Sequence, residues 1–338
     1  MSPMHGKMNL RVLNTVIATS CLAEAHTRPE FHNPYAPANG SARRQPISIE
    51  FRKITRCFLV ALISIACLLT SDIARSVEDP LVMGIFPRRN VKVTIDLFDP
   101  LAKYLSSKLD RQVILETSKN FKTFWTAVEN RKYDIVHYNQ YHYIVSHHKH
   151  GYKVFAKNEE FGAATIAGSI IVRHNSNIKS VADLKGKTIL FGGGPKAMQS
   201  YIVATYLLNK NGLYEDEYKT RFAKNPPNAI LSTYYGLSDA AGAGDIVLKF
   251  DVVKKHINTR EMKYLVRGEQ LPHLPWAAKK NMNPVLRKKI QLLMTSMGES
   301  KEGLEILKKA KLTGLVSASD KEFNNHRKII KAVLNEEY

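Results

Sequence analysis

The sequence from residue 81 onward alternates short apolar runs with longer segments of helical periodicity, and this alternation limits the fold more than any other feature. Leu81–Phe86 predicts a buried strand, and Val93–Leu109 carries apolar residues at the spacing of one helix face. Arg111–Thr117 predicts the next strand, and the following segment predicts a helix capped by Asn120. This rhythm is typical of an α/β fold, and we expect mostly parallel strands.

The second half of the chain repeats the same rhythm. Thr165–Arg173 predicts a strand, and Lys196–Gly212 predicts a helix that ends at Asn-Gly. After Met262–Gly268 we expect a mostly helical chain, interrupted first by Pro272 and Pro275.

The two similar halves predict two α/β lobes. The first comprises residues 77–164 together with 265–338, and the second comprises residues 165–264. A cleft between lobes is a common place for a small-molecule site, so we expect the ligand there.

An uncharged run of fifteen residues, Cys57–Ser71, lies between a basic segment and a small-residue A-x-S site. These parts predict a secretory signal over residues 51–76, cleaved after Ser76, because the run is shorter than the ~20 residues of a membrane-spanning helix. Two alternatives stay open: an uncleaved anchor, and a lipoprotein box ending at Cys67. Residues 1–50 show no period and are either a cytoplasmic tail or a misassigned start.

The charge of the chain favours an anionic ligand. The whole chain has a formal net charge of +20, and residues 77–338 hold 41 Lys/Arg and 26 Asp/Glu. We expect a small anion rather than nucleic acid, since the chain is predicted to be exported. The cysteines are Cys21, Cys57 and Cys67, so the exported part has no disulfide, no thiolate nucleophile and no cysteine metal site.

A glycine-rich turn, Phe191–Ser200, follows a predicted strand and opens a predicted helix. Its glycines allow close backbone approach, and a helix start offers unpaired N–H groups to an oxyanion. The spacing is neither that of a P-loop nor that of a dinucleotide fingerprint. A tight turn without a ligand is the alternative.

Three further segments lie at predicted strand ends, where ligands sit in open α/β sheets. Tyr138–Tyr143 offers phenol hydroxyls and an amide, or simply aromatic packing. Phe86–Asn90 offers two arginines, which suit phosphate-like groups or belong to the surface. Asp245, at the end of Ala240–Asp245, holds a ligand ammonium or caps the next helix.

No enzyme is expected. Neither a Ser-His-Asp pattern nor a G-x-S-x-G elbow occurs, and paired carboxylates at catalytic spacing are absent. His142, His147, His148 and His150 lack the spacing of a zinc helix and are interpreted as a solvated basic face. We therefore expect neither a metal nor a cofactor.

The segments GIFP, YDIVHYNQYHY, VADLKGKTILFGGG and DAAGAGD occur in this order from about residue 81. Together they resemble the phosphate, phosphite and phosphonate periplasmic solute-binding proteins of ABC transporters. The resemblance implies a two-lobed fold that closes on a small oxyanion like a hinge. It also implies delivery of that ligand to an inner-membrane ABC permease, and we expect a monomer.

In that family the tyrosine that ends the N-x-x-x-Y block contacts the oxyanion, and Tyr143 has that position here. A Ser/Thr-rich turn of the family is replaced by Gly193–Lys196, and a Ser-His pair is replaced by Pro226–Asn228. Backbone N–H groups and the Lys196 ammonium would substitute for the missing hydroxyls. The predicted ligand-binding residues are Tyr138, Tyr143, Gly193, Gly194, Lys196, Ser200, Asn228 and Asp245.

Two other functions stay open. The same module could serve as a ligand sensor, anchored through residues 57–71 or soluble, that signals to a membrane partner. An enzyme that uses the glycine turn for a phosphorylated substrate is the third reading, although the sequence offers no base beside that turn.

The predicted signal has a direct test. We expect mass spectrometry of the native protein to show an N-terminus at Val77, since cleavage after Ser76 fits the small-residue site. Recovery from the membrane fraction with residues 57–71 intact would contradict this prediction and favour the anchor.

Overall fold

The computed structural model describes residues 78–338, whose strands are divided between two main sheets. The strands are β1 Leu81–Ile85, β2 Val113–Glu116, β3 Ile135–His137, β4 Lys153–Glu159, β5 Thr165–Ile166, β6 Gly168–Arg173, β7 Thr188–Gly192, β8 Lys219–Ala223, β9 Ala240–Gly244, β10 Met262–Arg267, β11 Leu271–Pro272, β12 Pro275–Ala278 and β13 Gly314–Ser317. The first sheet has the order β13-β4-β12-β3-β1-β2 and the second β10-β6-β9-β7-β8.

Helices follow most of the strands, as the periodicity predicted. They are α1 Val91–Leu109, α2 Phe121–Glu129, α3 Gln140–His150, α4 Ala204–Lys210, α5 Pro226–Tyr234, α6 Asp251–Lys254, α7 Pro284–Thr295, α8 Lys301–Ala310 and α9 Asn324–Leu334. A π-helix, Met198–Val203, leads directly into α4. The α/β class is confirmed, and Asn120 caps α2 by accepting a hydrogen bond from the Thr123 N–H.

The expectation of mostly parallel strands is wrong. Strands β2 and β3 flank β1 in parallel, and β8 and β9 flank β7 in parallel. The pairs of β12 with β3 and β4, of β13 with β4, and of β6 with β9 and β10 are antiparallel. Strands β6 and β12 account for most of the antiparallel pairs. Each is the first strand of a main sheet after the chain crosses from the other sheet, and each runs opposite to both of its neighbours.

Two crossover segments connect the sheets and run side by side. Strand β5 lies on the way out of the first sheet and β11 on the way back, and they pair antiparallel through Leu271 with Ile166 and Pro272 with Thr165. Short paired connections of this kind can act as a hinge, because a few residues absorb the change in backbone dihedrals.

Both faces of the first sheet are covered. On one face α1, α7 and α8 bury an apolar cluster that includes Met83, Leu105 and Met294. On the other face α2 and α3 bury Phe124 and Tyr138, and this cluster continues into the helix 198–210 beside the second sheet. Helix α5 covers the opposite face of the second sheet. Since the clusters hold the sheet edges in place, the strand ends that form the site are fixed by core packing.

Some predictions lie outside the described residues or stay open. The signal at 51–76 and the segment 1–50 lie outside residues 78–338, and the lobe boundaries at 164/165 and 264/265 stay a prediction. The prediction of a mostly helical C-terminal part missed strands β12 and β13. Each strand has only four residues, which is too short to show a clear alternation of apolar and polar residues. None of the helices between residues 78 and 338 combines the length and apolar character that crossing a bilayer requires.

The fold predicts that the two tryptophans contribute unequally to stability. Trp276 is fully buried in β12, stacks on His137 with ring centroids 4.4 Å apart, and donates its indole N–H to Asn158 Oδ1 at 2.8 Å. We expect Trp276→Phe to lower the free energy of unfolding by about 2–4 kcal/mol, because it creates a void and leaves a buried amide oxygen unpaired.

Urea denaturation would measure this difference. The matched control is Trp125→Phe, since Trp125 is half-buried and has no hydrogen bond from its indole among the described residues. Equal losses in the two variants would contradict the prediction.

Candidate functional site

A cleft of about 420 Å³ opens where strand ends of both sheets meet. Residues after β1 and β3 line it from the first sheet, and residues after β7, β8 and β9 line it from the second. The lining residues are Phe86, Pro87, Arg88, Arg89, Asn90, Val93, Phe121, Asn139, Gln140, Ile166, Gly192, Gly193, Ala197, Met198, Gln199, Ser200, Lys224, Asn225, Pro226, Pro227, Asn228, Gly244, Ile246, Val247, Phe250, Val252 and Leu274.

Two arginines occupy the turn between β1 and α1. The turn is fixed at its end by Asn90, whose Oδ1 accepts a hydrogen bond from the Val93 N–H at 2.9 Å. Arg88 Nη1 donates to Glu160 Oε1 at 3.0 Å. Arg89 is half-buried and forms neither an ion pair nor a hydrogen bond with any residue of 78–338. One of the two guanidinium charges is therefore uncompensated.

The pKa values around these arginines reflect the charge imbalance. Burial lowers the pKa of Arg89 to about 10, and the neighbouring Arg88 charge acts in the same direction. Burial would raise the pKa of Glu160, but the charges of Arg88 and Arg89 and the hydrogen bond from Arg88 outweigh it, so the pKa lies below its usual value. Glu160 is thus a buried carboxylate ion, and Arg89 is a cation whose charged form an additional anion would stabilise.

On the second sheet, the glycine turn lies at the end of β7 as predicted from its sequence position. Gly193 has φ +108°, in the left-handed region that favours glycine. A Cβ on Gly192 would lie 2.3 Å from the Pro226 Cα, so the backbone there passes too close to its neighbour for a side chain. Gly193 lines the cleft, whereas Gly194 adjoins it without lining it.

The helix that starts at Met198 presents its first turn to the cleft. Its N-cap residue is Ala197, and no side chain caps it. The first N–H groups of a helix have no intrahelical partner, so those of Met198, Gln199 and Ser200 are available to a ligand. The Ser200 hydroxyl forms no hydrogen bond within the described residues. Gln199 Oε1 is buried without a partner, but it is an acceptor and adds no donor for an anion. The backbone N–H groups and the Ser200 hydroxyl therefore offer several donors on one wall of the cleft.

The start of α5 differs in this respect. Pro226 and Pro227 have no N–H, and the Asn228 N–H already donates to Asn225 Oδ1 at 3.0 Å. This helix start consequently offers side chains rather than backbone donors, namely the Asn228 amide and the exposed Lys224 ammonium.

The structure places the two predicted tyrosines away from the cleft. Tyr143 is fully buried, and its hydroxyl donates to Asp320 Oδ1 at 2.7 Å. Tyr138 is also fully buried and packs against Tyr143 and Tyr152, with ring centroids 6.2 and 5.8 Å away. Aromatic packing, the alternative considered for this segment, describes their surroundings.

Lys196 and Asp245 also have protein partners. Lys196 Nζ pairs with Glu336 Oε1 at 2.5 Å and lies 4.8 Å from the Tyr141 ring centroid. Asp245 Oδ1 accepts a hydrogen bond from the Ala167 N–H, and its Oδ2 accepts one from Gln270 Nε2. Of the predicted residues, the cleft brings together Gly193, Ser200 and Asn228.

The interpretation of the histidines as a solvated face is wrong for His142. Its ring stacks on Phe121 with centroids 5.4 Å apart, and burial lowers its pKa to about 4. Residues 78–338 hold no group of three or more His, Cys, Asp or Glu side chains that could bind a metal ion.

Arg89, Gln199 and Lys224 line the cleft but are not among the ligand-binding residues predicted from the sequence. For Arg89 a signal existed, since the double arginine directly follows a predicted strand, the same position that singled out the glycine turn. Lys224 carried no such signal, because it becomes part of the cleft only through the pairing of β8 with β7.

Comparison with known proteins gives a consistent result. The family described as "ABC transporter, phosphonate, periplasmic substrate-binding protein" matches residues 83–323. A binding protein component of an ABC phosphonate transporter from Pseudomonas aeruginosa is 17% identical over 75% of this chain and 86% of that chain, with a TM-score of 0.65. PhnD1 from Prochlorococcus marinus, in complex with methylphosphonate, is 18% identical over 76% and 98%, with a TM-score of 0.66. A Xanthomonas citri protein bound to ATP is 14% identical over 76% and 97%, with a TM-score of 0.64.

The buried histidines predict a loss of stability in mild acid. Burial lowers the pKa of His273 to about 4 and that of His326 to about 3, so both are neutral in the folded protein near pH 5. The unfolded chain binds protons at these histidines below about pH 6.5, and stability therefore falls as the pH drops from 6.5 towards 4. Each histidine is expected to cost about 2 kcal/mol at pH 5.

Urea denaturation at pH 7 and pH 5 would measure the loss. We expect His326→Gln to reduce the difference between the free energies of unfolding at pH 7 and pH 5. We expect His174→Gln, at an exposed position, to leave this difference unchanged. If both variants lost the same amount of stability between pH 7 and pH 5, the attribution of this loss to the buried His326 would be wrong. The depressed carboxylate pKa values, such as that of Glu160, reduce stability mainly below about pH 5, so they contribute little to the difference in stability between pH 7 and pH 5.

Proposed function

The chain belongs to the family of periplasmic substrate-binding proteins of phosphonate ABC transporters, and we propose that it captures a phosphorus oxyanion in the cleft at Arg89 and Ser200. The family and the two-lobed fold predicted from the sequence motifs are thereby confirmed. Members of this family are solute-binding transport proteins of the periplasm that work with a membrane permease.

The observation that carries the proposal is the uncompensated Arg89 in the cleft. A guanidinium that loses hydration without gaining a partner is costly, and a planar pair of N–H donors matches the oxygens of a phosphonate. Arg88 cannot take this role in the same way, because Glu160 already accepts its Nη1 hydrogen bond. The ligand would supply the charge that the protein omits at Arg89.

The second lobe offers a complementary set of donors. The uncapped start of the helix at Met198 has N–H groups and a partial positive charge, and the Ser200 hydroxyl lies beside them. Asn228 and Lys224 add an amide and a cation from the α5 side. These groups would take the place of the family's Ser/Thr hydroxyls, which this chain lacks.

The proposed mechanism is closure about the β5–β11 connection. An oxyanion that contacts Arg89 in the first lobe and Ser200 in the second binds the closed form more tightly than the open form. The closed, loaded protein then delivers its ligand to the permease. In this proposal the protein acts as a monomer. It needs neither a cofactor nor a catalytic step, because capture and release of the ligand require only donors and cations in the cleft.

Replacement of the unpaired arginine tests the proposal. We expect Arg89→Gln to weaken methylphosphonate binding about 10–100-fold, since hydrogen bonds to charged groups contribute about 1.5–3 kcal/mol. Isothermal titration calorimetry on the purified full-length chain would measure the affinity. Arg260→Gln, at an exposed position outside the cleft, is the matched control. Unchanged binding in the Arg89 variant would contradict the proposed site.

A second pair of variants separates the cleft from the residue suggested by family resemblance. We expect Ser200→Ala to weaken methylphosphonate binding about tenfold through the loss of one donor. Tyr143→Phe should leave binding within about threefold while lowering the free energy of unfolding, because the Tyr143 hydroxyl serves Asp320. The opposite result would restore Tyr143 as a ligand contact.

A further inference from the structure

The cleft contains cations but no lining carboxylate among the described residues. Arg89 and Lys224 both line it without an ion-pair partner in residues 78–338. The acidic side chains near the lining segments have partners of their own. Glu160 pairs with Arg88, and Asp245 accepts hydrogen bonds from the Ala167 N–H and Gln270. Asp251, between the lining residues Phe250 and Val252, does not itself line the cleft and pairs with Lys311 at 3.6 Å. A ligand ammonium group would therefore find cations and apolar surface in the cleft, and no counter-charge.

Large apolar side chains form much of the remaining wall. Phe121 and Val93 line the cleft from the first lobe, and Phe250 and Val252 line it from the second. Phe121, Val93 and Val252 expose more than a third of their surface, with Val252 at 49%. Exposed apolar side chains in a concave site gain from burial against an apolar part of a ligand.

Phe250 belongs to the apolar wall of the cleft and lies beside the arginine turn. Arg88 lies over the Phe250 ring, with the guanidinium carbon 5.9 Å from the ring centroid, and Phe161 stacks on Phe250 at 6.1 Å. The ring is consequently held beside the arginine turn by contacts on both sides. An oxyanion bound at Arg89 would place its substituent in reach of this aromatic wall.

The volume of the cleft also indicates a ligand larger than methylphosphonate. A volume of about 420 Å³ lies in the range of pockets that hold drug-sized ligands. A methylphosphonate, which is a phosphoryl group with one methyl, would leave most of this apolar wall without a contact. A larger substituent would replace water along the wall.

We infer, on the basis of the proposed function, that the ligand joins a phosphonate-type or phosphate-monoester-type dianion to an uncharged apolar group, such as an aryl ring. Ligands with an ammonium group bind weakly. The apolar group gains by leaving water, whereas an ammonium group loses hydration beside Arg89 and Lys224 without a carboxylate to replace it.

Isothermal titration calorimetry on the purified full-length chain tests this inference with four probes. They are methylphosphonate, phenylphosphonate, phenyl phosphate and 2-aminoethylphosphonate. We expect phenylphosphonate or phenyl phosphate to bind at least tenfold more tightly than methylphosphonate. We expect 2-aminoethylphosphonate to bind at least tenfold more weakly than the better phenyl ligand. The comparison of the two phenyl ligands decides between a phosphonate and a phosphate monoester.

Two variants test the two halves of the inference separately. Phe250→Ala should weaken binding of the better phenyl ligand about tenfold and change methylphosphonate binding less than threefold. Phe222→Ala, an exposed aromatic of the second lobe outside the cleft, is its control. Val252→Glu should strengthen 2-aminoethylphosphonate binding about tenfold, because it adds the missing carboxylate. Val285→Glu, at a position 77% exposed outside the cleft, is the matched control.

The outcomes distinguish this inference from the proposed function. If 2-aminoethylphosphonate binds the unmodified protein as tightly as the phenyl ligands, or if the phenyl group gives no gain, the inference is overturned and the proposed function stands. If none of the four probes binds, or if binding does not depend on Arg89, the proposed function fails and the inference fails with it.

Discussion

The ion pair between Arg88 and Glu160 determines how the cleft is charged and how it is attached to the rest of the fold. Glu160 lies directly after β4, where the chain leaves the first sheet, and Asn158 Nδ2 donates to its Oε1 at 3.3 Å. Trp276 Nε1 donates in turn to Asn158 Oδ1. The arginine turn is thus tied to the start of the crossover and to the returning strand β12. Because Glu160 serves Arg88, the neighbouring Arg89 keeps its charge for the cleft.

The two helix starts of the second lobe offer different groups to a ligand. The start at Met198 has an alanine N-cap and leaves its N–H groups unpaired, whereas the start of α5 has two prolines and an asparagine cap. Backbone donors and a helix dipole therefore act from one side of the cleft. The other side contributes flexible side chains. In the proposed mode of binding, an oxyanion would be held between Arg89 and the Met198 helix start, and the α5 side would adapt to the remainder of the ligand.

Sequence periodicity predicted the α/β class, the positions of most elements and the glycine turn, because these depend on local spacing. It missed β12, although this strand lies in the middle of the first sheet, because its place depends on pairing with β3 and β4. The site was predicted in part for the same reason. Gly193 and Ser200 lie in one local segment that faces the cleft, whereas the partners of Tyr143 and Lys196 are Asp320 and Glu336, far along the chain. Contacts between residues so far apart in the sequence cannot be predicted from local residue spacing.

The uncompensated charge also explains why closure should require a ligand. If the lobes closed on an empty cleft, they would remove water from Arg89 and bring Lys224 and the positive helix start closer to it, without any anion to balance them. A bound oxyanion would make closure favourable instead, because its negative charge is attracted both to Arg89 and to the cationic groups on the opposite wall. On the proposed mechanism, the same imbalance would favour an anion in the cleft and would oppose closure without one. On the same mechanism, Phe250 and Phe121, which line the cleft, would contact the rest of the ligand once closure has surrounded the bound oxyanion.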